Sequence, residues 1–503
     1  MTAHTPRATP WLPSLALLAA IAVALTAQPS RSQTDGDGPA LPTSVPVIEI
    51  DAPEDHVYHI GIPNLLGEQN MMGEVLRGDF QLMPGYRVID ERSVRHDLVA
   101  EGLAIRSGAW GSLGAQGVIK GEVRATADGL EVELRFYRVA RAAEPMFTRT
   151  YRGPATRARS WAHDFGNEVL RILTGMPGSF GTEIAYARRI GPGRKDVYRA
   201  QMDGYGEHRV SRGDGIALLP AFGNRRIYFT RMTTRGMFIT HGRANDARIV
   251  EGDGINMAPT ICDGRIYFTS SRDGNSEIYS TNLDGGDVQR LTNHPAMDLS
   301  PACGPNNKLA FVSSRHRTPQ IFTMNRDGSD VRRVTFRGNH NQTPVWCQDP
   351  SRPRIAFTGR DGNYDIFTVN PETQDYVRLT QGQGDNKDPA FSPDCRLVAF
   401  ASDRRGAPGI YLSSTLGFNQ NLVARGDAET VRWRQWDGPY ENMSVSDPVL
   451  DVLPTDAADA AVEVPTGVAP TGSAPVGAPT TTAPAGSAPV GAPSATAPAR
   501  SAP

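Results

Sequence analysis

Residues 264–295 read GRIYFTSSRDGNSEIYSTNLDGGDVQRLTNHP. Three short runs in it, 265–269, 277–281 and 288–291, are rich in β-branched and aromatic residues and are separated by turn sequences. Asp273-Gly274 and Asp284-Gly285 supply the positive φ that tight hairpins need. A lone three-strand meander cannot bury both of its faces, so this one needs neighbours.

The neighbours are visible as repeats. The central triplet recurs as IAY at Ile184, IYF at Ile227 and Ile266, LAF at Leu309, IAF at Ile355 and VAF at Val398, in steps of 39 to 46 residues. A second marker keeps phase at Asp196, Glu277, Gln320, Asp365 and Gly409, and a Pro-led apolar run does so at Pro259, Pro301, Pro344 and Pro389. Repeats of this length made of short strands predict propeller blades. Solenoids of similar period are mostly helical, and no helical periodicity runs through 180–437. Six units predict an all-β six-bladed β-propeller over 180–437, closed so that no long sheet edge is left open.

Outside the repeats the chain falls into four stretches. Residues 15–27 are apolar and uncharged, preceded by Arg7 and followed by small residues, so 1–32 read as a cleaved secretory signal, too short to span a membrane. No Cys lies near the cleavage region, which excludes a lipid anchor there, and no twin-arginine pair is present. Residues 33–46 read as a linker, and 47–175 as a mixed α+β N-terminal domain. Strands are expected at 47–50, 57–62 and around 130–136, where Leu130, Val132, Leu134 and Phe136 alternate with charges. A short helix is expected over 68–78. A longer one is expected over 156–173, with Trp161, Phe165, Val169 and Ile172 on one stripe and Gly175 just past its end. Residues 438–503 are poor in large apolar side chains and repeat GSAPVGAP, which predicts a low-complexity disordered tail.

Composition narrows the function classes. With 503 residues, 21% charged and a net charge of −2, nothing points to a nucleic-acid partner. An exported peptidase of the α/β-hydrolase type needs a G-x-S-x-G nucleophile elbow, and the sequence has none. There is no H-E-x-x-H and no C-x-x-C, and the ten His are scattered, so no metal and no cofactor is expected. His163, inside the longer expected helix, reads as a packing or hydrogen-bonding residue. The 385–388 stretch, Asp-Asn-Lys-Asp, reads as a polar loop and not as a cation site. A rival reading, a glycan lyase or hydrolase, would need paired acids in the channel, for which Asp298 and Asp388 are the candidates.

Four Cys invite a disulfide reading in an exported chain. Aligned on the Pro-led strand, Cys262 and Cys347 fall at the place of Ser392, Cys303 at that of Phe391, and Cys395 in the following turn. Cys262 and Cys347 belong to non-adjacent blades, so free, mostly buried thiols are expected. A Cys303 pair with Cys347 or Cys262 is the alternative.

The remaining functional signal is in the loops that join one blade to the next, at 254–258, 294–300, 337–343, 382–388 and 425–430. They are rich in Asn, Asp and Gln, and they ring a central channel, a platform for another protein.

Together these features resemble the TolB family, periplasmic components of the Tol-Pal system of Gram-negative bacteria, over roughly 47–437. The resemblance is specific at the domain junction: Trp161-Ala162-His163, Asn167-Glu168-Val169, Leu173-Thr174-Gly175 and Phe180-Gly181-Thr182-Glu183-Ile184-Ala185-Tyr186. Arg333-Val334-Thr335-Phe336, with Gly338 and Asn341-Gln342, is similar to an inter-blade loop of the family. The resemblance implies a monomeric, non-enzymatic adaptor without cofactors. Its propeller mouth would bind a Pal-like peptidoglycan-associated lipoprotein, and its N-terminal region a TolA-like inner-membrane protein. The complex would support outer-membrane integrity and constriction during cell division. Carried over loop by loop, the Pal face comprises Asn256, Met257, Ala258, Asp298, Leu299, Asn341, Gln342, Thr343, Lys387 and Asp388. Ile255 and Leu299 depart from the His and Thr the family can have there, and an extra segment precedes the first expected strand.

Overall fold

The computed structural model describes residues 57–435 apart from 69–70, 142–143, 224–225 and 243–247. The expected signal, linker, strand at 47–50 and C-terminal tail lie outside the described residues.

In the N-terminal domain, β1 (Tyr58–Gly61), β2 (Tyr86–Ile89), β3 (Gly117–Thr126), β4 (Gly129–Arg138) and β5 (Phe147–Gly153) form one sheet in the order β2-β1-β3-β4-β5. β1 runs parallel to β2 and β3, and β3-β4-β5 is an antiparallel meander. The alternation expected around 130–136 appears as buried Val132, Leu134 and Phe136. The helix expected over 68–78 forms as Met72–Leu82, displaced toward the C-terminus, with Met71 at φ 58 before it. The longer one forms as Ala158–Thr174, and Gly175 closes it at φ 81, its N–H donating to the Arg171 carbonyl. Trp161, Phe165 and Val169 on that helix are fully or nearly fully buried against Leu76, Phe80 and the sheet. His163 is 3% exposed and bonds Asp79 Oδ2 through Nδ1 at 2.8 Å, as its structural reading required.

Four separate four-stranded antiparallel sheets follow, blades I to IV. Blade I comprises Asn256–Cys262, Arg265–Ser270, Glu277–Asn282 and Gln289–Arg290. Blade II comprises Asp298–Cys303, Lys308–His316, Thr318–Asn325 and Arg332–Arg333. Blade III comprises Asn341–Trp346, Ile355–Asp361, Asn363–Val369 and Tyr376–Arg378. Blade IV comprises Asn386–Phe391, Leu397–Ser402, Gly409–Ser414 and Asn421–Ala424. The expectation of six separate blades needs correcting, because the other eight strands form a single sheet. Ile216–Phe222 joins Arg194–Gln201 through one parallel pair, Lys195 with Ile216, and this fuses two antiparallel halves. The last strand, Ala428–Trp433, pairs with Glu183–Gly191, so the C-terminal end of the described chain completes a sheet begun by the first propeller strand. The inner strands of the blades meet in sequence, and the last meets Ile216–Phe222, which closes the ring.

Apolar clusters fill the joints. Tyr267 and Ile278 of blade I pack on Leu309 and Phe311 of blade II, and Val312 and Ile321 pack on Phe357 and Phe367 of blade III. The cluster of blade IV runs on through Tyr186 into the N-terminal domain. There Arg396, 9% exposed, donates to Thr174 Oγ1 at 2.5 Å, and the Asn167 side chain makes two bonds with the Phe180 backbone.

On the rim, Gly285 and Gly328 sit in turns at φ 90 and 88, and a Cβ on either would lie 2.0 Å or 2.3 Å from the carbonyl oxygen of Ile249 or Leu291 in the preceding sheet. The repeat's Asp-Gly therefore lets adjacent sheets approach as well as turning the hairpin.

The cysteines overturn the expectation of free thiols. Cys262 pairs with Cys303 and Cys347 with Cys395. The comparison of non-adjacent Cys262 and Cys347 was the wrong pair to test. Cys262 and Cys303 end neighbouring inner strands, with Cα atoms 6.2 Å apart. Cys395, in the turn after its inner strand, comes within 5.6 Å of Cys347.

Candidate functional site

The mouth of the ring is built on a repeated backbone irregularity. Each inner strand carries one non-glycine residue in the left-handed region: Leu219, Ala258, Ser300, Thr343, Asp388 and Thr430, all at φ 49 to 56. Five of the six precede a proline. Pairing with the second strand slips at each of these points, so every one is a β-bulge. The conformation costs about 1–2 kcal/mol per residue. It turns the N–H toward the neighbouring sheet, where a threonine hydroxyl accepts it: Ala258 N to Thr230 Oγ1 at 3.0 Å, Ser300 N to Thr269 Oγ1 at 2.9 Å and Asp388 N to Thr358 Oγ1 at 3.0 Å. These bonds offset part of the strain.

Just above the bulges, the amide that starts the inner strand of blades III and IV locks onto the preceding blade. Asn386 Nδ2 donates to Asp365 Oδ1 at 3.0 Å, and Asn341 Nδ2 to Gln320 Oε1 at 2.9 Å. Arg378 bonds Asp365 Oδ2 at 2.6 Å, and Arg290 bonds Glu277 Oε1 at 3.1 Å.

Asn256 and Asp298 are fully buried and Asn341 is 2% exposed. In this conformation these three present almost no surface to a docking partner. They belong to the expected face through the resemblance; here Asn256 and Asn341 donate across the joint, and Asp298 accepts from Arg315 of its own blade. Ala258 is buried at 5%. Met257, Leu299, Gln342, Thr343, Lys387 and Asp388 are part-exposed around the mouth. Lys387 is held by Asp385 at 2.8 Å and lies over the Tyr364 ring at 4.5 Å. Gln342 Oε1 meets His340 Nε2 at 3.1 Å.

Two further groups were not among the expected face residues. Phe336, in the loop leading to blade III, is 46% exposed, with the Arg333 guanidinium 4.9 Å from its ring centroid. Its place in the RVTF run carried the signal. Arg432, on the closing strand next to that of Asp388, is close enough to act on its charge and had no marker. Enclosure pushes the Asp388 carboxyl up, against the pull of Arg432, and pushes the Arg432 guanidinium down.

The mouth thus offers an apolar sector (Met257, Leu299) beside a polar one (Gln342, Lys387, Asp388). Among the described residues no group of three or more His, Cys, Asp or Glu could hold a metal ion. A polar cavity of about 260 Å3 lies at the other end of the inner strands, against Cys347, Cys395, Arg352 and Arg354.

An α+β domain packed onto a β-propeller defines the class of protein. Residues 46–144 match the TolB amino-terminal domain and 170–358 the TolB beta propeller domain. The chain is 33% identical over 308 residues to the Tol-Pal system protein TolB of Anaeromyxobacter dehalogenans (strain 2CP-C), covering 56% of this chain and 66% of that one. It is also 33% identical over 136 residues to the protein of that name from Desulfosudis oleivorans, covering 26% of this chain and 31% of the other. The crystal structure of TolB from Acinetobacter baumannii has the same fold, with a TM-score of 0.65, 24% identity, and coverage of 75% of this chain and 96% of that one. The chain belongs to the TolB family.

Proposed function

We propose that this protein is a periplasmic adaptor of the Tol-Pal system, exported by a cleaved signal over 1–32 and acting as a monomer. The propeller mouth binds a Pal-like peptidoglycan-associated lipoprotein, and the N-terminal region engages a TolA-like inner-membrane protein. Through both contacts it supports outer-membrane integrity and constriction at division. The eight-stranded sheet is read as two blades fused at one bridge, giving six blades over 180–437 behind an N-terminal domain over 47–175, with 438–503 as an appended tail.

One observation carries the reading: a part-exposed mixed apolar and polar rim on a rigid, cross-locked ring, in a chain of the TolB family. Rigid platforms with a few exposed anchors suit protein docking. The rival hydrolase reading requires two acids open to substrate, and Asp298 is fully buried. It therefore takes no part in the proposal.

Calorimetric titration of the purified lipoprotein domain tests this. Met257→Glu and Leu299→Glu should each weaken binding at least about tenfold, about 1.4 kcal/mol. Undiminished affinity in both, with the fold intact, would remove the mouth from the docking surface.

A further inference from the structure

Two joints at the mouth share one arrangement of side chains, and a third departs from it by a single functional group. Between blades III and IV, Asp365 Oδ1 accepts from Thr380 Oγ1 at 2.6 Å and from Asn386 Nδ2 at 3.0 Å. Between blades II and III, Gln320 Oε1 accepts from Thr335 Oγ1 at 2.7 Å and from Asn341 Nδ2 at 2.9 Å. Between blades I and II, Glu277 Oε2 accepts from Thr292 Oγ1 at 2.5 Å, but the residue in the amide's place is Asp298.

The two oxygens of Asp298 are not equivalent. Oδ2 accepts from Arg315 Nη2 at 2.9 Å, just as Asn386 Oδ1 accepts from Arg404 at 3.0 Å and Asn256 Oδ1 from Arg272 at 3.1 Å. Oδ1 is therefore the counterpart of an amide nitrogen. It is buried and has no hydrogen-bond partner, and both Asp298 and Glu277 have zero exposure. A bare carboxylate oxygen in that position would be a buried acceptor facing another acid.

We propose that Asp298 is a proton-binding site: its Oδ1 holds a proton taken from water and through it donates a hydrogen bond to Glu277, in place of the amide N–H of the joints before blades III and IV. Burial raises the Asp298 carboxyl and the Glu277 charge adds to this, while Ser313, Arg315 and Thr292 pull the other way. The donors around the pair favour Asp298 as the proton's holder, because each carboxyl has one arginine but Glu277 also accepts from Thr292 Oγ1 and the His294 N–H. Arg290 already neutralises Glu277, lying 3.1 Å from its Oε1, and Asp273 stands 3.6 Å from Arg290. His294 gives Glu277 its backbone N–H at 2.7 Å and uses Nδ1 to accept from Ala296 N. The inference stands on this joint's geometry and needs no docking partner.

The sign follows from the raised carboxyl. The folded state holds the proton more tightly than the unfolded chain, so the wild-type joint is at its best in acid and loses stability as pH rises above the ordinary carboxylate range. Asp298→Asn supplies a permanent donor. In full-length protein it should raise the melting temperature at pH 7 by about 2–4 °C, an advantage that shrinks toward zero near pH 4. Infrared spectra of the wild type at pH 7 should show a protonated-carboxyl C=O stretch that Asp298→Asn lacks. Glu277→Gln, with its Oε1 held by Arg290 and the His294 N–H and so turned the other way from Gln320, places a new amide donor against Oδ1. It should abolish the same band although Asp298 is still present. No such band in the wild type, its survival in Glu277→Gln, or a lower melting temperature for Asp298→Asn at pH 7 would each overturn the proposal.

Discussion

The N-terminal domain and the propeller hold together in different ways. The former has one large apolar core in which Trp161, Phe165, Phe80, Phe136 and Leu134 converge from two helices and a sheet, beside a smaller cluster around Trp110. The latter has no single core. Its cohesion is divided among small apolar clusters, one to a joint, each with polar locks at the mouth. A large truncation in the first should be felt by the whole domain, whereas a defect in the second should scale with how much one joint loses.

The largest effect is expected from Phe165→Ala. Phe165 is fully buried and stacks on Phe147 at 4.8 Å, so its loss should cost about 3–5 kcal/mol by urea unfolding. Next comes Cys347→Ser with Cys395→Ser, which releases a closure spanning 48 residues of sequence and should cost about 2–4 kcal/mol. Gly328→Ala should cost about 1–3 kcal/mol, since the added methyl meets the Leu291 carbonyl at a backbone angle that favours glycine. Asn386→Ala, which removes the donor to Asp365, should cost about 1–3 kcal/mol and sit at the lower end of the series. Arg332→Ala, at an exposed surface pair with Asp330, should stay within about 0.5 kcal/mol. If Phe165→Ala cost no more than Asn386→Ala, the contrast between a shared core and divided joints would fail.

Much of this architecture is legible in the residues. The recurrence of Ile227, Ile266, Leu309, Ile355 and Val398 marks the second strand of successive sheets, because each must bury the same face against a neighbour. The longer helix was legible from its stripe and its glycine stop. The joints were less so. Asn256, Asp298 and Asn341 look like turn residues until the preceding sheet is in place, and only then is their inward orientation forced by an unsatisfied acid or amide. Of the disulfides, Cys262–Cys303 was legible as an alternative to free thiols, whereas Cys347–Cys395 was not: sequence alignment compares a strand with its copies, while Cys395 sits in the turn beyond its strand, one blade from Cys347. The fusion of eight strands into one sheet turns on a single residue pair, Lys195 and Ile216, which no periodicity records.

The strand that completes the ring, Ala428–Trp433, is also the last among the described residues, and its partner Glu183–Gly191 lies more than two hundred residues earlier. A polypeptide delivered from its N-terminus onward therefore holds an open crescent until Ala428–Trp433 is present. Truncation ahead of Ala428 should leave a permanently gaping ring with a bare edge.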